Sequence, residues 1–407
     1  MKRVFWSLWA VIFAAGLVGV VQRLLTGHQL AAYGSYVPWG LWVAVYIYFV
    51  GLSAGAFLIS TVIYVFGVKR LEPVGRLALF TALMTLLMAL LSIWFDIGHM
   101  SRFWRVYTRG AWTSMMAWMV WLYTAYFLLL LAETWFAIRG DLARNAAVPG
   151  AAGRLARLLS FGRGDLSETA LAADRRKVRL LAMLGVPLAT AFHGGVGALF
   201  GVIGARLYWH ASIYPLLFLA SALSSGSALL TFLAAFWGPG RGTREHRDLV
   251  TLLATVTLGL LVVDVLFEFA EFSISLYATI PAAVQGFLIV LFGPYWWVFW
   301  IVHLGLGIVA PAVILLARRH QPQWAGVGAF LIAATFISVR LNIIVPGLAY
   351  PEVQGLERAY LGPRLSFQYF PSLMEWQVSA FVASLGVALF ALGLRFLPIV
   401  TAREREA

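Results

Sequence analysis

GRLALFTALMTLLMALLSIWFDIGHMSRFWRVYTRGAW, residues 75–112, decides the fold. From Leu77 to Phe95 it carries 19 residues without a charge, and roughly 20 such residues cross the hydrocarbon of a bilayer. The run then meets Asp96 and turns into a cationic, aromatic segment with His99, Arg102, Trp104, Arg105, Arg109 and Trp112. Apolar residues come in unbroken blocks, whereas a transmembrane barrel would alternate apolar and polar residues in short strands. The whole 407-residue chain follows this pattern: 62% of it is apolar and 12% charged, against ~25% charged in ordinary soluble proteins. The expected fold is an all-α polytopic membrane protein.

Ten spans are expected, at 5–25, 38–66, 75–97, 112–138, 179–204, 212–237, 248–275, 295–317, 323–343 and 373–397. The first has no small-residue cleavage pattern after it and reads as a helix rather than a signal peptide. With the N-terminus inside, 22 of the 30 Lys and Arg fall in inner segments, among them Lys2, Arg76, Arg139, Arg403 and Arg405. Arg23, Arg102, Arg105, Arg109, Arg206, Arg340, Arg358 and Arg364 fall outside. The positive-inside rule therefore puts both termini in the cytoplasm. Residues 139–178 read as a cytoplasmic loop with one surface helix, 344–372 as an outer loop suited to docking, and 373–407 as the last helix and a cytoplasmic tail.

The net charge of +13 follows from that topology and does not argue for nucleic acid. With no cysteine the chain can hold no iron–sulfur cluster, so any such cluster belongs to a partner. Its glycines suggest close helix packing. HGGVGALFG (193–201) looks like a phosphate loop but lies mid-span, so Gly197 and Gly201 instead read as a step that admits a neighbouring helix. SAGAFLIS (53–60) and SSGSALLT (224–231) form a faint repeat whose offset carries Asp96 to the neighbourhood of Glu268.

Ionisable residues inside spans are costly and are candidates for function. Asp96 stands at the outer mouth of the third span, His193 at mid-depth in the fifth, and His303 in the outer third of the eighth. Asp264, Glu268 and Glu271 follow i, i+4, i+7 and share one helix face in the seventh. Glu133, near the inner end of the fourth, is expected to face water or pair with an arginine; Glu375 is expected to cap the outer start of the tenth. A haem needs paired histidines on facing helices, and only His193 and His303 lie well inside the spans. Intramembrane carboxylates also suit a stand-alone proton-coupled transporter.

YVPWGLWVAVYIYFVGLSAGAFL (36–58), FDIGHMSRFWRVYTRGAWTSMMAW (95–118) and FHGGVGALFGVIGARLYWHASIYPLLFLASAL (192–223) together resemble the NrfD/PsrC family. Its members are quinone-interacting membrane subunits of respiratory oxidoreductases. The likeness is nearest to the ten-span HybB/DsrP-like branch and is carried by the first half of the chain. It implies two four-helix bundles, helices 2–5 (26–138 and 179–204) and 6–9 (205–343), flanked by helices 1 and 10. It implies exchangeable menaquinone or ubiquinone, with no haem or iron–sulfur cluster of the chain's own. The partners implied are a ferredoxin-like iron–sulfur subunit and a molybdopterin-type or other catalytic subunit or cytochrome c. The expected location is the bacterial inner membrane. Where the related branch has a polar stretch after the fifth-span histidine, this chain has Gly194 and Gly195.

Quinol oxidation releases two electrons and two protons, so such a site needs groups that bond the quinone oxygens and exchange protons. Asp96, His193 and His99 suit that role, with Tyr36, Trp39, Trp104 and Trp112 as walls and Arg102 and Arg105 turned to a partner. Asp264, Glu268, Glu271 and His303 form the expected proton-holding row. It stops short of the inner face, because Leu249 to Val263 contains no ionisable group.

Overall fold

The computed structural model describes residues 2–278, 280–360 and 362–400. Among these there is no strand, and ten helices are long and apolar enough to cross a membrane. They are α1 (Arg3–Thr26), α2 (Leu41–Tyr64), α3 (Lys69–Asp96), α4 (Met115–Asn145), α5 (Glu168–Gly201), α6 (Tyr214–Trp237), α7 (Arg244–Tyr277), α8 (Val298–Arg318), α9 (Pro322–Leu348) and α10 (Leu373–Phe396). The chain is a multi-pass membrane protein. Alternation of the helices puts the connections 65–68, 146–167, 238–243 and 319–321 on one side, here called the basic face. Arg403 and Arg405 lie outside the described residues.

Local signals set several helix starts. Pro215, Pro281 and Pro322 occupy first-turn positions, where the missing N–H is no loss. Thr243 and Ser167 accept backbone N–H bonds as caps of α7 and α5. Ser372 and Glu375 form a reciprocal capping box on α10.

Those caps correct the expected 139–178 loop. α4 runs on to Asn145, and α5 begins at Ser167's cap rather than at 179, because polar residues continue both helices beyond the apolar blocks. The remaining connection does contain one short helix, Ala151–Leu159. The expected outer loop loses its first residues to α9, which continues to Leu348. Between α7 and α8, in the stretch the expected spans leave unassigned, the chain adds a short apolar helix, Pro281–Phe292.

α2 and α6 are buried along most of their length, whereas α1 and α10 pair with each other and leave most of their surface outward. α2 packs on α3, α5 and α6, and α4 packs on α3 and α5. α6 packs on α5, α7 and α9, and α8 lies against α9 and α7. The two similar segments meet at the α2–α6 crossing. A Cβ on Gly55 would lie 1.9 Å from the Ala222 carbonyl oxygen, and one on Gly226 would lie 2.5 Å from the Gly55 Cα. The helices therefore touch backbone to backbone, which small residues alone permit. Gly197 behaves similarly, since a Cβ there would stand 2.6 Å from the Tyr214 carbonyl oxygen at the start of α6.

Candidate functional site

The first polar group surrounds Asp96. Asp96 is half-buried at the end of α3 and accepts a 2.9 Å hydrogen bond from Tyr33. Burial, with the Asp96 charge next, pushes the Tyr33 phenol well above its ordinary range, so the phenol stays a donor. The end of α3 is held by Arg23 of α1, whose guanidinium donates to the carbonyls of Phe95 and Ile97, each at 2.8 Å. A helix C-terminus leaves such carbonyls unpaired, and a cation there is favourable. Trp42 lies beneath, 5.7 Å from Tyr33 and 5.8 Å from His28 between ring centroids. Burial, and then Arg23, holds the His28 imidazole below its usual value.

Glu375 closes this group from α10. It is fully buried and does more than cap its helix: it accepts from the backbone N–H of Ala32 and Ser372, each at 2.9 Å, and from the Tyr369 hydroxyl. Tyr369 in turn accepts from the Leu41 N–H at 2.8 Å. The connection 27–40 and the segment before α10 are thereby tied together through one carboxylate.

The second group surrounds His193, fully buried on α5. Its Nε2 lies 2.8 Å from the Phe218 carbonyl oxygen. A carbonyl can only accept, so that nitrogen carries the proton and Nδ1 is an acceptor, buried without a partner. Arg340 of α9 is also buried. One Nη donates to Ser221 at 2.8 Å, the other has no partner, and the guanidinium sits 4.7 Å from the Phe218 ring centroid. A Cβ on Gly51 would stand 3.4 Å from Arg340 and 3.6 Å from His193, so both flank that glycine.

Among the described residues no hydrogen bond or ion pair joins Asp96 to His193. The Asp96 group meets α2 at Trp42 and the His193 group meets it at Gly51, nine residues later, or about two and a half turns. These positions face opposite ways and differ in depth by about 13 Å. Trp39 belongs to the His193 side, stacked 5.9 Å from Trp209 and 6.1 Å from Phe200, which itself lies 5.8 Å from Phe218. Tyr36 stacks on Phe367 at 4.4 Å. His99, Arg102, Trp104, Arg105 and Trp112 are exposed on the segment between α3 and α4, and Trp112 stacks on Trp121 of α4 at 6.1 Å.

The third group is the row on α7. Asp264, Glu268 and Glu271 line one cavity of about 30 Å³ with Tyr208, Tyr214 and Asn342, room for about one or two waters. His303 joins the row, with its Nε2 2.8 Å from Glu268. It sits in a π-helical stretch, Val298–Val309, and π-turns are frequent at functional positions. Arg340 and Asp264 are both buried, on α9 and α7, two helices that pack together. Towards the basic face the row is continued by a hydroxyl pair, Thr231 and Thr257 at 2.9 Å. Among the described residues no three His, Cys, Asp or Glu side chains are grouped as a metal site.

Sequence reasoning missed Arg340, Tyr33 and Arg23. A charged residue several positions inside a span end was the available signal for the two arginines.

Residues 30–352 match the family described as Polysulphide reductase, NrfD. The chain belongs to the NrfD family. A selenate reductase subunit of Mesobacillus selenatarsenatis is 35% identical over 98% of this chain and 95% of that protein. The Hdr-like menaquinol oxidoreductase integral membrane subunit of Archaeoglobus fulgidus is 27% identical over 99% and 95%. The menaquinone reductase integral membrane subunit of Nitratidesulfovibrio vulgaris is 24% identical over 98% and 92%. These NrfD relatives match over nearly their whole length, so the ten-helix body is what the likeness spans.

Proposed function

We propose that this NrfD protein is the membrane anchor of a multi-subunit oxidoreductase and exchanges electrons between quinone and a partner's iron–sulfur cluster or haem. The observation that carries this reading is the Asp96–Tyr33 pair at the mouth of α3, beside the exposed aromatic and cationic segment 97–114, in a chain whose relatives are named for menaquinol and menaquinone chemistry. One quinol yields two electrons to the partner and two protons to the protein. Asp96, half-buried and already hydrogen-bonded, is suited to take one of these protons. His99, Trp104 and Trp112 would edge the entrance, and Arg102 and Arg105 would face the partner. The helices would group as α2–α5 and α6–α9, with α1 and α10 outside them, and the basic face would lie in the cytoplasm of a bacterium.

His193 takes a different place in this reading from the one its sequence suggests. Lying across α2 from Asp96, it joins Arg340 and Asp264 as a polar bridge between the two halves instead of the far end of one quinone pocket. The α7 row, with His303, would hold protons and move them over a half-channel.

The test is turnover of the purified complex with a soluble quinol. Asp96→Asn keeps size and removes the base, and should slow turnover by about 100-fold with assembly intact. His193→Ala should alter proton movement more than quinone affinity. Unchanged turnover in Asp96→Asn would remove this site, and substrate counterflow by the isolated chain would favour a transporter.

A further inference from the structure

Glu133 stands apart from all three groups. It lies on α4, where the sequence suggested contact with water or an arginine, yet it is fully buried and both carboxylate oxygens lack a hydrogen-bond partner. The nearest arginine in sequence, Arg139, is committed elsewhere: it pairs with Asp174 and donates to the Asp165 carbonyl at 2.8 Å. A carboxyl group enclosed in this way is stable as the neutral acid, because nothing present balances its charge. Structural need does not explain it, since it ties no two elements together.

Its surroundings are ordered along one line. Tyr123, Tyr126, Leu130 and Glu133 share the buried face of α4. Tyr126 shares a hydrogen bond with Ser53 of α2, 3.5 Å from Ser53 Oγ and 3.4 Å from its carbonyl oxygen. Ser53 Oγ itself donates to the Ala82 carbonyl of α3 at 2.7 Å. Tyr123 is hydrogen-bonded to Tyr46, also on α2, and its ring lies 5.4 Å from Phe192, the neighbour of His193. On the other side, the Tyr64 hydroxyl at the end of α2 lies against Gly75 of α3, where a Cβ would stand 2.6 Å from it, next in sequence to Arg76. Arg76 pairs with Asp141 at the basic face, where both are partly exposed. By helical rise Asp141 stands about 12 Å from Glu133 on one side, and Tyr126 and Tyr123 about 10 Å and 15 Å on the other.

We propose that Glu133 is a proton-relay residue joining the basic face to the quinone end of the α2–α5 half. The relay rests on the quinone reading above. In the quinone-reducing direction, two electrons arrive from the partner's redox centre and the quinone takes up two protons. Glu133 releases its proton towards Tyr126, Tyr123 and Tyr46, with water filling the intervals, and regains one from the basic face through the surroundings of Tyr64 and Arg76. In the quinol-oxidising direction each transfer runs backwards. Glu133 does not touch quinone, and it acts through the hydroxyls beside it.

The test uses the whole complex in liposomes with a water-soluble quinone. In the wild type, infrared difference spectra should contain the carbonyl band of a protonated carboxyl, and Glu133→Gln should lose it. The same variant should assemble, bind quinone normally and turn over about tenfold or more slowly, with a larger solvent isotope effect. Glu133→Asp, or added formate as a small permeant acid, should restore part of the rate. If Glu133→Gln fails to assemble, Tyr126→Phe decides, because it keeps the ring and removes the next hydroxyl. Normal turnover and normal proton uptake in the assembled variant overturn the relay alone. Absence of quinone turnover in the wild-type complex overturns the functional reading and the relay with it.

Discussion

Gly55→Ala, a single methyl at the α2–α6 crossing, should unfold more of this protein than any surface change. The added Cβ would lie 1.9 Å from the Ala222 carbonyl oxygen, 2.8 Å from its carbon and 2.9 Å from the Gly226 Cα. All three are backbone atoms and have no rotamer to yield. Restoring ordinary contact needs the helices to part by about 1.5 Å, and a gap of even 1 Å forfeits about half the dispersion energy across it. Ser53, Ala54, Ala56 and Phe57 on one side and Ala222 and Ser224 on the other are fully buried, so the loss extends along the crossing. Overpacking commonly costs about 1–3 kcal/mol, and a rigid partner on both sides puts this case at or above about 3 kcal/mol. The matched control is Gly259→Ala on α7, whose Cβ meets nothing within 4 Å. In detergent the control should melt like wild type. Gly55→Ala should melt several degrees lower and lose quinol turnover in parallel. Equal melting of Gly55→Ala and wild type would refute the backbone-to-backbone crossing.

Glu375→Ala strands two backbone N–H donors and the Tyr369 hydroxyl, at about 1–3 kcal/mol for each left unsatisfied, and should make the segments 27–40 and 349–372 cleavable by protease, which gel analysis reads directly. Glu268→Gln replaces the carboxyl partner of buried His303 with an amide, and in liposomes it should change protons moved per electron more than quinone affinity; identical proton movement across pH would mean that the α7 row is structural. Arg23→Ala removes the donors from the Phe95 and Ile97 carbonyls and should lower the thermal midpoint by an amount matching about 2–3 kcal/mol, with native-gel assembly as a second readout.

The ten crossings were legible because each is a block of apolar residues long enough for a bilayer, a signal that tertiary context does not alter. The Pro281–Phe292 helix was not, since its 12 residues fall below that length. The π-helical turns around His303 leave no mark in composition at all. The row of Asp264, Glu268 and Glu271 could be read from spacing alone, but the place of Arg340 beside Ser221 and Gly51 could not, because depth along a span does not reveal which neighbour a side chain meets. Glu133 misled for a related reason. Arg139 is close in sequence, but Asp174, brought in by the extended start of α5, takes its guanidinium. Asp96 and His193 looked like two ends of one site because both lie in the same half of the chain. The two and a half turns of α2 between Trp42 and Gly51, which set their groups on opposite faces, appear only when these residues are placed on a helix.

The bare meeting of Gly55 and Gly226 also has a mechanical consequence. Two rods that touch backbone to backbone cannot approach further there, so any relative motion of the pair turns about that contact like the blades of scissors. With about 15 Å of helix on either side of the rivet, a swing of about 5° carries the blade tips through little more than 1 Å, and opening at one face is closing at the other. Arg340 bridges α9 to Ser221, about one and a half turns of α6 from the rivet, so a charge gained or lost there bears on the short arm of that lever.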